Sequence, residues 1–251
     1  MRGGGLIVAA LLAVWTPVAA ETVVAGLSRD TINITANFEG SEILIFGAVG
    51  RDAPAPDGSI EVIITVEGPS LPASVRRKSL RFGIWVNTDG IEVDSAPSFY
   101  AVATTAPFED VLTHVEDLRH RVSIPRAIRA VGLGVSDGQA FTDALIRIRE
   151  RSDLYQLIEG AVTLRDQTLF DTSIQLPANL VEGDYRTRIF LTREGRVIDV
   201  FEQDIAVRKV GLERFIYNLA HDRPLIYGIL SLAIAIAAGW LASAVFRYIR
   251  T

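Results

Sequence analysis

The arginines between residues 119 and 151 are the side chains of this sequence best suited by type and density to bind a ligand. The segment holds seven arginines against three acids, in a chain whose net charge is −5. Guanidinium groups pair best with planar oxyanions and phosphates. We therefore expect a site for a small oxyanion or an anionic lipid headgroup, formed by Arg126, Arg129 and Arg147. The alternative is an ordinary solvated helix surface, where runs of charge are common.

The other reactive side chains form no catalytic or metal-binding pattern in the sequence. His114 and His120 stand six residues apart on a predicted helix and do not share a face, and His221 lies far along the chain. The sequence contains no Cys, which excludes thiolate metal sites and cysteine nucleophiles. It also lacks a nucleophile elbow, a phosphate loop and a dinucleotide fingerprint. We expect a non-enzymatic protein without a cofactor or metal, and its acidic composition makes nucleic acid a poor partner.

A second candidate contact surface lies around the segment GIWVNTDGIEV, residues 83–93. Its pattern predicts a β-hairpin that reverses at Asn87–Gly90. The core face of this hairpin would carry Leu80, Phe82, Ile84 and Val86. Arg81 and Trp85 would then share the opposite, wetter face, where they could contact a partner. The alternative is that Trp85 packs beneath the helical segment that follows.

Apolar segments near the two ends of the sequence predict export and membrane anchoring. Residues 1–20 combine Arg2, an apolar run and a small-residue ending, which is the pattern of a signal peptide cleaved after Ala20. The alternative, an uncleaved anchor, is disfavoured because the run is too short to span a bilayer. Residues 224–246 carry no charge, and as a helix they would measure about 34 Å, enough to cross the hydrocarbon core. A buried helix of a soluble protein would normally have a polar face.

An export signal followed by a late stop-transfer helix fixes the expected topology. Residues 21–209 would lie in the periplasm and residues 247–251 in the cytoplasm, in a single-pass protein of the inner membrane. Basic residues flanking the span favour the opposite orientation weakly, but that rule has little weight for long translocated domains. Residues 210–223 are expected to form a juxtamembrane amphipathic helix along the bilayer surface, or an extension of the spanning helix.

Small residues recur every fourth position within the predicted span. They are Ser231, Ala235, Gly239 and Ser243. Such a stripe lets another helix approach closely, so we expect contact there with a second copy or with another membrane protein. The alternative is that small residues are simply common in membrane helices.

The region between the signal and the membrane predicts a mainly β fold. Short β-branched runs predict strands at residues 31–36, 41–49, 59–68, 160–164, 172–176, 184–192 and 196–207. Helical spacing from Phe108 to Leu118, and again from Phe141 to Ile148, predicts a helical insertion at about 106–158. We expect an immunoglobulin-like β-sandwich with this insertion, and two separate β-subdomains are the alternative.

Several segments carry a family resemblance that extends over nearly the whole chain. They are ETVVAGLSRDTINITANFEGSEILIFGAV (residues 21–49), RRKSLRFGIWVN (76–87), APSFYAVATT (96–105) and the C-terminal span. In these the chain resembles an alphaproteobacterial family of transmembrane proteins with an exported domain and a single C-terminal span. The resemblance assigns no functional residue. It implies a membrane transporter as partner, specifically a sulfite-exporter-type permease.

Two functions from different classes follow from these observations. The first is an accessory subunit of a membrane transporter, anchored beside it by the C-terminal helix. The second is a periplasmic sensor or binding module for an anion, acting through the arginine-rich segment. Stable association with a permease would favour the first, and stabilisation of the protein by an anion would favour the second.

Overall fold

The computed structural model describes residues 21–35, 38–51, 58–129 and 138–249. The predicted signal peptide, residues 1–20, lies outside the described residues, as do the last two residues of the predicted cytoplasmic tail. The strands are β1 (Glu21–Leu27), β2 (Thr31–Ile34), β3 (Ser41–Arg51), β4 (Ile60–Glu67), β5 (Ser70–Arg81), β6 (Ile84–Pro97), β7 (Tyr100–Thr104), β8 (Tyr155–Ile158), β9 (Thr163–Arg165), β10 (Leu169–Leu176), β11 (Gly183–Arg193) and β12 (Arg196–Lys209). The helices are α1 (Phe108–Val111), α2 (His114–His120), α3 (Ile124–Ala127), α4 (Gly138–Glu150), α5 (Leu212–Asp222) and α6 (Pro224–Ile249).

Two sheets pack face to face as a sandwich. The first is antiparallel with the order β1-β3-β10-β9, and the second has the order β2-β12-β11-β4-β7-β8, with parallel pairs at its two edges. Ile45 and Phe170 of the first sheet meet Ile64 and Ile189 of the second in one core. Because β3 pairs with β10 from late in the chain, the two halves of the sequence share one sandwich and do not form separate subdomains. The prediction of a mainly β sandwich is confirmed.

The central strands β4 and β7 of the six-stranded sheet are buried on both faces. Ile63 and Ile64 are neighbours on β4 and both are fully buried, yet they belong to different cores. Ile64 faces the sandwich, whereas Ile63 joins Tyr100 and Phe190 in a second core beneath the helices and the hairpin β5–β6. A strand buried on both faces reads as a continuous apolar run, as in the VIITV of β4. The fold therefore has three layers: a sheet, a sheet, and a helical layer that includes α1 to α4 and the hairpin base.

The helical layer is more broken than its sequence pattern predicts. The expected continuous helix from Phe108 to Leu118 is wrong, because α1 ends at Val111 and α2 begins anew at His114, with extended backbone between them. The break changes which side of α2 faces inward. Val115 and Leu118, whose apolar spacing belongs to the predicted helix, are exposed, while the two acidic residues between them, Glu116 and Asp117, are buried.

Asp117 gives the physical reason for this inversion. Its carboxylate accepts hydrogen bonds from the backbone N–H groups of Val122 and Ser123, at 3.1 and 2.7 Å, and from the Ser123 hydroxyl at 2.8 Å. These bonds satisfy the backbone where α2 ends at the left-handed residue Arg121. A carboxylate with three such donors is stable when buried, so α2 turns its acidic side inward.

The last helix has the properties expected of a membrane span. Within the described part of the chain, α6 is the one helix long and apolar enough to cross a bilayer, over Pro224–Ser243, and none of that segment is buried against the rest of the protein. The predicted C-terminal apolar helix is therefore confirmed. The position of α5 along the bilayer surface stays a prediction.

Candidate functional site

The hairpin β5–β6 turns at a different place from the one predicted. A two-residue turn at Phe82–Gly83 joins the strands, whereas Asn87–Gly90 lies inside β6. Both turn residues have positive φ, 51° and 83°, as a type I′ hairpin requires. Thr88 is accommodated as a bulge, because Arg77 pairs with Asp89 and the next residue, Lys78, pairs with Asn87.

The shifted turn changes which side chains share a face. Trp85 pairs with Leu80, and Arg81 pairs with Ile84. Directly paired residues point to the same side of a sheet, so Arg81 and Trp85 lie on opposite faces and the predicted common face is wrong. Both are nevertheless exposed, with Trp85 68% accessible, so Trp85 does not pack beneath a helix.

The hairpin consists of a buried base and a free tip. At the base, Val75, Ile91 and Val93 belong to the second core, and the Arg77 guanidinium lies 4.8 Å from the ring centroid of Phe141 on α4. Beyond the base, the side chains of residues 78–87 are exposed or half-exposed. At about 3.4 Å per residue, this tip extends about 15 Å. Its end is Phe82, which is fully exposed.

The arginine-rich segment forms one small basic cavity. Arg121, Arg126 and Arg129 line about 300 Å³ together with Leu118, Pro125 and Ile128. Backbone bonds in both directions between Arg129 and Ser95 of β6, at 2.8 and 3.1 Å, fix one wall. Among the described residues lining the cavity there is no carboxylate.

This cavity corresponds in part to the predicted anion site. The structure brings Arg126 and Arg129 together, as predicted, but Arg147 lies on the exposed side of α4 and is not among the lining residues. Arg121 takes the third position, and its left-handed backbone conformation, φ 52°, at the end of α2 is not visible in the residue spacing.

An apolar groove on the outer face of the first sheet was not predicted. Val24, Leu44, Phe46 and Leu169 line a cavity of about 560 Å³ and are all exposed. The Phe46 ring lies over Gly26, where an added Cβ would come within 3.4 Å of it. The sequence signal was the run ILIF (43–46), in which apolar residues occupy both faces of β3 instead of one. This groove is a patch of the kind that marks interaction sites.

The buried titratable side chains in the β-domain, residues 21–209, have structural partners. Glu21 of β1 lies 2.8 Å from Arg51 of β3 and 2.7 Å from Arg193 of β11, so it ties the two sheets together. Burial alone would raise the pKa of Glu21, but the hydrogen bonds and charges of Arg193 and Arg51 outweigh burial and lower it. Burial likewise raises the pKa of Tyr155 to about 12. In the described ranges, no cluster of three or more His, Asp or Glu side chains is placed to hold a metal ion.

The small-residue stripe of α6 is open to a neighbour. Ser231, Ala235, Gly239 and Ser243 are all exposed, and a Cβ added at Gly239 would meet no atom within 4 Å. Nothing in the described chain covers this side of the helix, so its use as a helix contact stays a prediction.

Comparisons with known proteins place the chain in a family without adding a ligand. No protein with a curated description matches it. One solved structure that does match is the "Crystal structure of Spo0M, sporulation control protein, from Bacillus subtilis", at 10% identity, covering 81% of this chain and 55% of that chain with a TM-score of 0.29. The chain thus spans about half of that protein's length, and a similarity this low supports no conclusion about fold or function. The model of the family described as "Putative transmembrane protein (Alph_Pro_TM)" matches residues 22–248, and the chain belongs to that family.

Proposed function

We propose that this protein is a non-enzymatic accessory subunit of a membrane transporter, with a sulfite-exporter-type permease as the expected class. In this proposal α6 anchors the protein in the inner membrane, the β-domain lies in the periplasm, and the short C-terminal tail is cytoplasmic. Membership of a transmembrane family and the apolar length of α6 support the anchoring. The identity of the partner follows from the family resemblance alone.

The observation that carries the proposal is the apolar groove. Four large apolar side chains are exposed together on the outer face of a sheet whose other face is fully occupied by the sandwich core. Leaving them in water costs free energy that burial by a partner would recover. At one edge of the groove Arg165 and Asp171 form an ion pair at 3.0 Å, which gives the apolar surface a polar rim. An apolar centre with a polar rim is the usual anatomy of a protein interface.

The exposed stripe of α6 provides a second contact in the same proposal. A helix of the transporter could pack against Ala235 and Gly239 while the β-domain binds its periplasmic face through the groove. Two linked contacts reinforce each other, because the second forms at a high effective concentration. We therefore expect changes in the groove and in the stripe to weaken one and the same complex.

Site-specific photo-cross-linking in living cells tests this function. A photo-reactive amino acid replaces Phe46 in the full chain, and the adducts are identified by mass spectrometry. The expected result is one dominant adduct with a membrane transport protein. Glu202, an exposed residue of β12 away from the groove, is the matched control position and should give no such adduct.

The outcome that would contradict the proposal is equally definite. If Phe46 and Glu202 cross-link to the same scattered set of proteins, or if neither forms an adduct, the groove is not a transporter interface. A dominant adduct with a second copy of this chain would also contradict it, because the groove would then serve self-association.

A second candidate function is an anion-binding module, and the basic cavity favours it. Three arginines line a cavity of about 300 Å³, and no carboxylate is among its described lining residues to neutralise their charge there. An oxyanion or a phosphate headgroup, which presents two oxygens to a guanidinium group, matches their hydrogen-bond geometry.

Thermal unfolding of the purified chain with sulfate, sulfite or inorganic phosphate tests this second candidate. We expect a rise in Tm through preferential binding to the folded state, and loss of that rise in the double variant Arg126→Gln, Arg129→Gln. Arg147→Gln is the matched control and should keep the rise, because Arg147 does not line the cavity. No rise, or an equal rise in all three proteins, would exclude the cavity as an anion site.

A further inference from the structure

The hairpin tip, residues 78–87, has an unusual distribution of apolar side chains. Leu80 and Trp85 are exposed on one face, Ile84 is exposed on the other, and Phe82 forms the apex. A protein partner that received one face would leave the other in water. A tip with exposed apolar side chains on both faces and at its apex is instead suited to a medium that surrounds it.

The apolar apex of the turn carries a conformational cost. Phe82 has φ 51°, a left-handed conformation in which Asn, Asp or Gly is usual and bulky residues are rare. An Asn-Gly turn would join the same strands without this strain. The sequence thus places a large apolar ring where local structure favours a small polar residue, and the ring has no contact that would explain it structurally, since it is fully exposed.

The charges beside the apex have one sign. Lys78 and Arg81 lie within the tip, and no acidic residue occurs from 78 to 87, although the whole chain has a net charge of −5. Long basic side chains can keep their charge among headgroups while their stems lie along apolar surface. Trp and Phe beside Lys and Arg are the composition of segments that bind at the surface of anionic bilayers.

We propose that this tip inserts into the bilayer in which α6 is anchored and gives the β-domain a second point of attachment to the lipid. Phe82, Trp85, Leu80 and Ile84 enter the boundary between headgroups and acyl chains, which has a depth of about 5–10 Å, within the reach of the tip. Lys78 and Arg81 bind lipid phosphates at that level. The membrane anchor keeps the bilayer at molecular distance, so even a small insertion is favoured by effective concentration.

Two attachment points would restrict how the β-domain is oriented over the membrane. A single helix leaves a domain free to rotate about its link, whereas a second contact holds the groove and the basic cavity in a fixed relation to the lipid surface. The inference does not depend on the transporter, because it needs only α6 and the bilayer.

Depth-dependent fluorescence quenching tests the insertion. The chain from residue 21 to residue 251 with Trp240→Phe retains Trp85 as its only tryptophan. It is reconstituted into vesicles of phosphatidylcholine and phosphatidylglycerol, with and without bromine on the acyl chains. We expect blue-shifted Trp85 emission that brominated lipid quenches. The control is Leu157→Trp in a chain lacking Trp85 and Trp240, because Leu157 is an exposed apolar residue of β8 outside the tip, and it should not be quenched.

Two further variants separate insertion from mere proximity. Phe82→Asn suits the left-handed turn and should preserve folding while reducing the quenching of Trp85. Ile84→Thr keeps a β-branched residue in the strand and should also reduce the quenching of Trp85. If Trp85 is quenched no more than the Leu157→Trp control, or if neither variant reduces its quenching, the proposal is overturned. A tip covered only by a protein partner would give the first of these results, since no partner is present in the vesicles.

Discussion

The two faces of the six-stranded sheet bury similar apolar side chains but are closed in different ways. On the face towards the first sheet, apolar side chains pack between strands whose backbone N–H and C=O groups already hydrogen-bond to neighbouring strands. Towards the helical layer, side chains must also satisfy backbone carbonyls of irregular segments. The Tyr100 hydroxyl donates to Val122 O at 2.8 Å, the Tyr155 hydroxyl to Pro97 O at 2.9 Å, and Arg149 to Ser98 O at 2.9 Å.

This difference shows what each face contributes. Regular sheets pair their own backbone polar groups, so apolar burial contributes most of what holds the sandwich together, with the ion pairs of Glu21 added at its edge. Short helices and loops leave carbonyls unpaired, and each needs a specific donor when it is buried. The layer that holds the basic cavity and the hairpin base therefore depends on specific side-chain hydrogen bonds in addition to its apolar core, more than the sandwich does.

The neighbours Ile64 and Ile63 on β4 allow the most direct comparison of the two faces, since both are fully buried on opposite sides of one strand. We expect Ile64→Ala to lower the free energy of unfolding by about 4 kcal/mol and Ile63→Ala by about 3 kcal/mol, from lost burial and the cavities left behind. Hydrogen exchange should show uniform loss of protection for Ile64→Ala and a loss concentrated in α2 and α4 for Ile63→Ala. Identical patterns for the two variants would remove the distinction between the faces.

Glu21 tests the polar contact that closes the sandwich at its edge. Glu21→Gln should destabilise the protein by about 3 kcal/mol, because Arg51 and Arg193 would lose their shared carboxylate. Since the folded-state pKa lies below the ordinary value of 4.5, this stabilisation is present above pH 4.5 and is lost as the pH falls through the lowered pKa. Chemical denaturation between pH 3 and 7 should show that acid-dependent loss in the wild type and a smaller one in Glu21→Gln. Equal pH dependence would assign the acid sensitivity to other groups.

Substitution of Asp117 tests how far buried hydrogen bonds stabilise the helical layer. Asp117→Asn preserves side-chain size but loses the charge, and its amide cannot accept all three hydrogen bonds from Val122 and Ser123. We expect a loss of about 2 kcal/mol, with amides of residues 121–128 exchanging faster than those of the sandwich. A uniform effect on all amides would mean that the layer does not open separately.

Tyr155 should give the smallest effect. Tyr155→Phe removes the buried hydrogen bond to Pro97 O and should cost about 1 kcal/mol. Because burial raises the pKa of Tyr155 to about 12, the neutral hydroxyl stabilises the fold fully below pH 10, and that contribution is lost between pH 10 and about pH 12. Between pH 8 and 11 the free energy of unfolding should decrease less steeply with pH in Tyr155→Phe than in the wild type. An equal slope in both proteins would show that Tyr155 does not contribute to this pH dependence.

The sequence predicted the elements whose physics is local or strongly periodic. The β-branched runs of β3, β4, β11 and β12 mark the sandwich, and the uncharged run of α6 marks the span. The strands β1, β7 and β8 are not predicted, because β1 has few polar–apolar alternations, β7 is short and buried without alternation, and β8 lies inside a segment predicted as helical.

The predictions are wrong where the register of a strand pair or the partners of a polar side chain override local preference. Asn87–Gly90 has better turn residues than Phe82–Gly83, yet the hairpin reverses at Phe82, so the shared face of Arg81 and Trp85 could not be predicted correctly. Similarly, the apolar spacing of Val115 and Leu118 suggested a core face, and only the partners of Asp117 show why α2 is turned the other way. Arg126 and Arg129 line the basic cavity, as the sequence predicts. Residue spacing alone does not indicate that Arg121, instead of Arg147, is the third arginine of the lining.

Purification of the tagged full chain from gently solubilised native membranes, with quantitative mass spectrometry of what accompanies it, tests the central claim most directly. We expect one membrane transport protein in constant ratio to this chain, and a lower ratio when Ala235 and Gly239 are replaced by Leu. Recovery of the chain alone, or with companions whose ratio varies between preparations, would contradict its role as an accessory subunit.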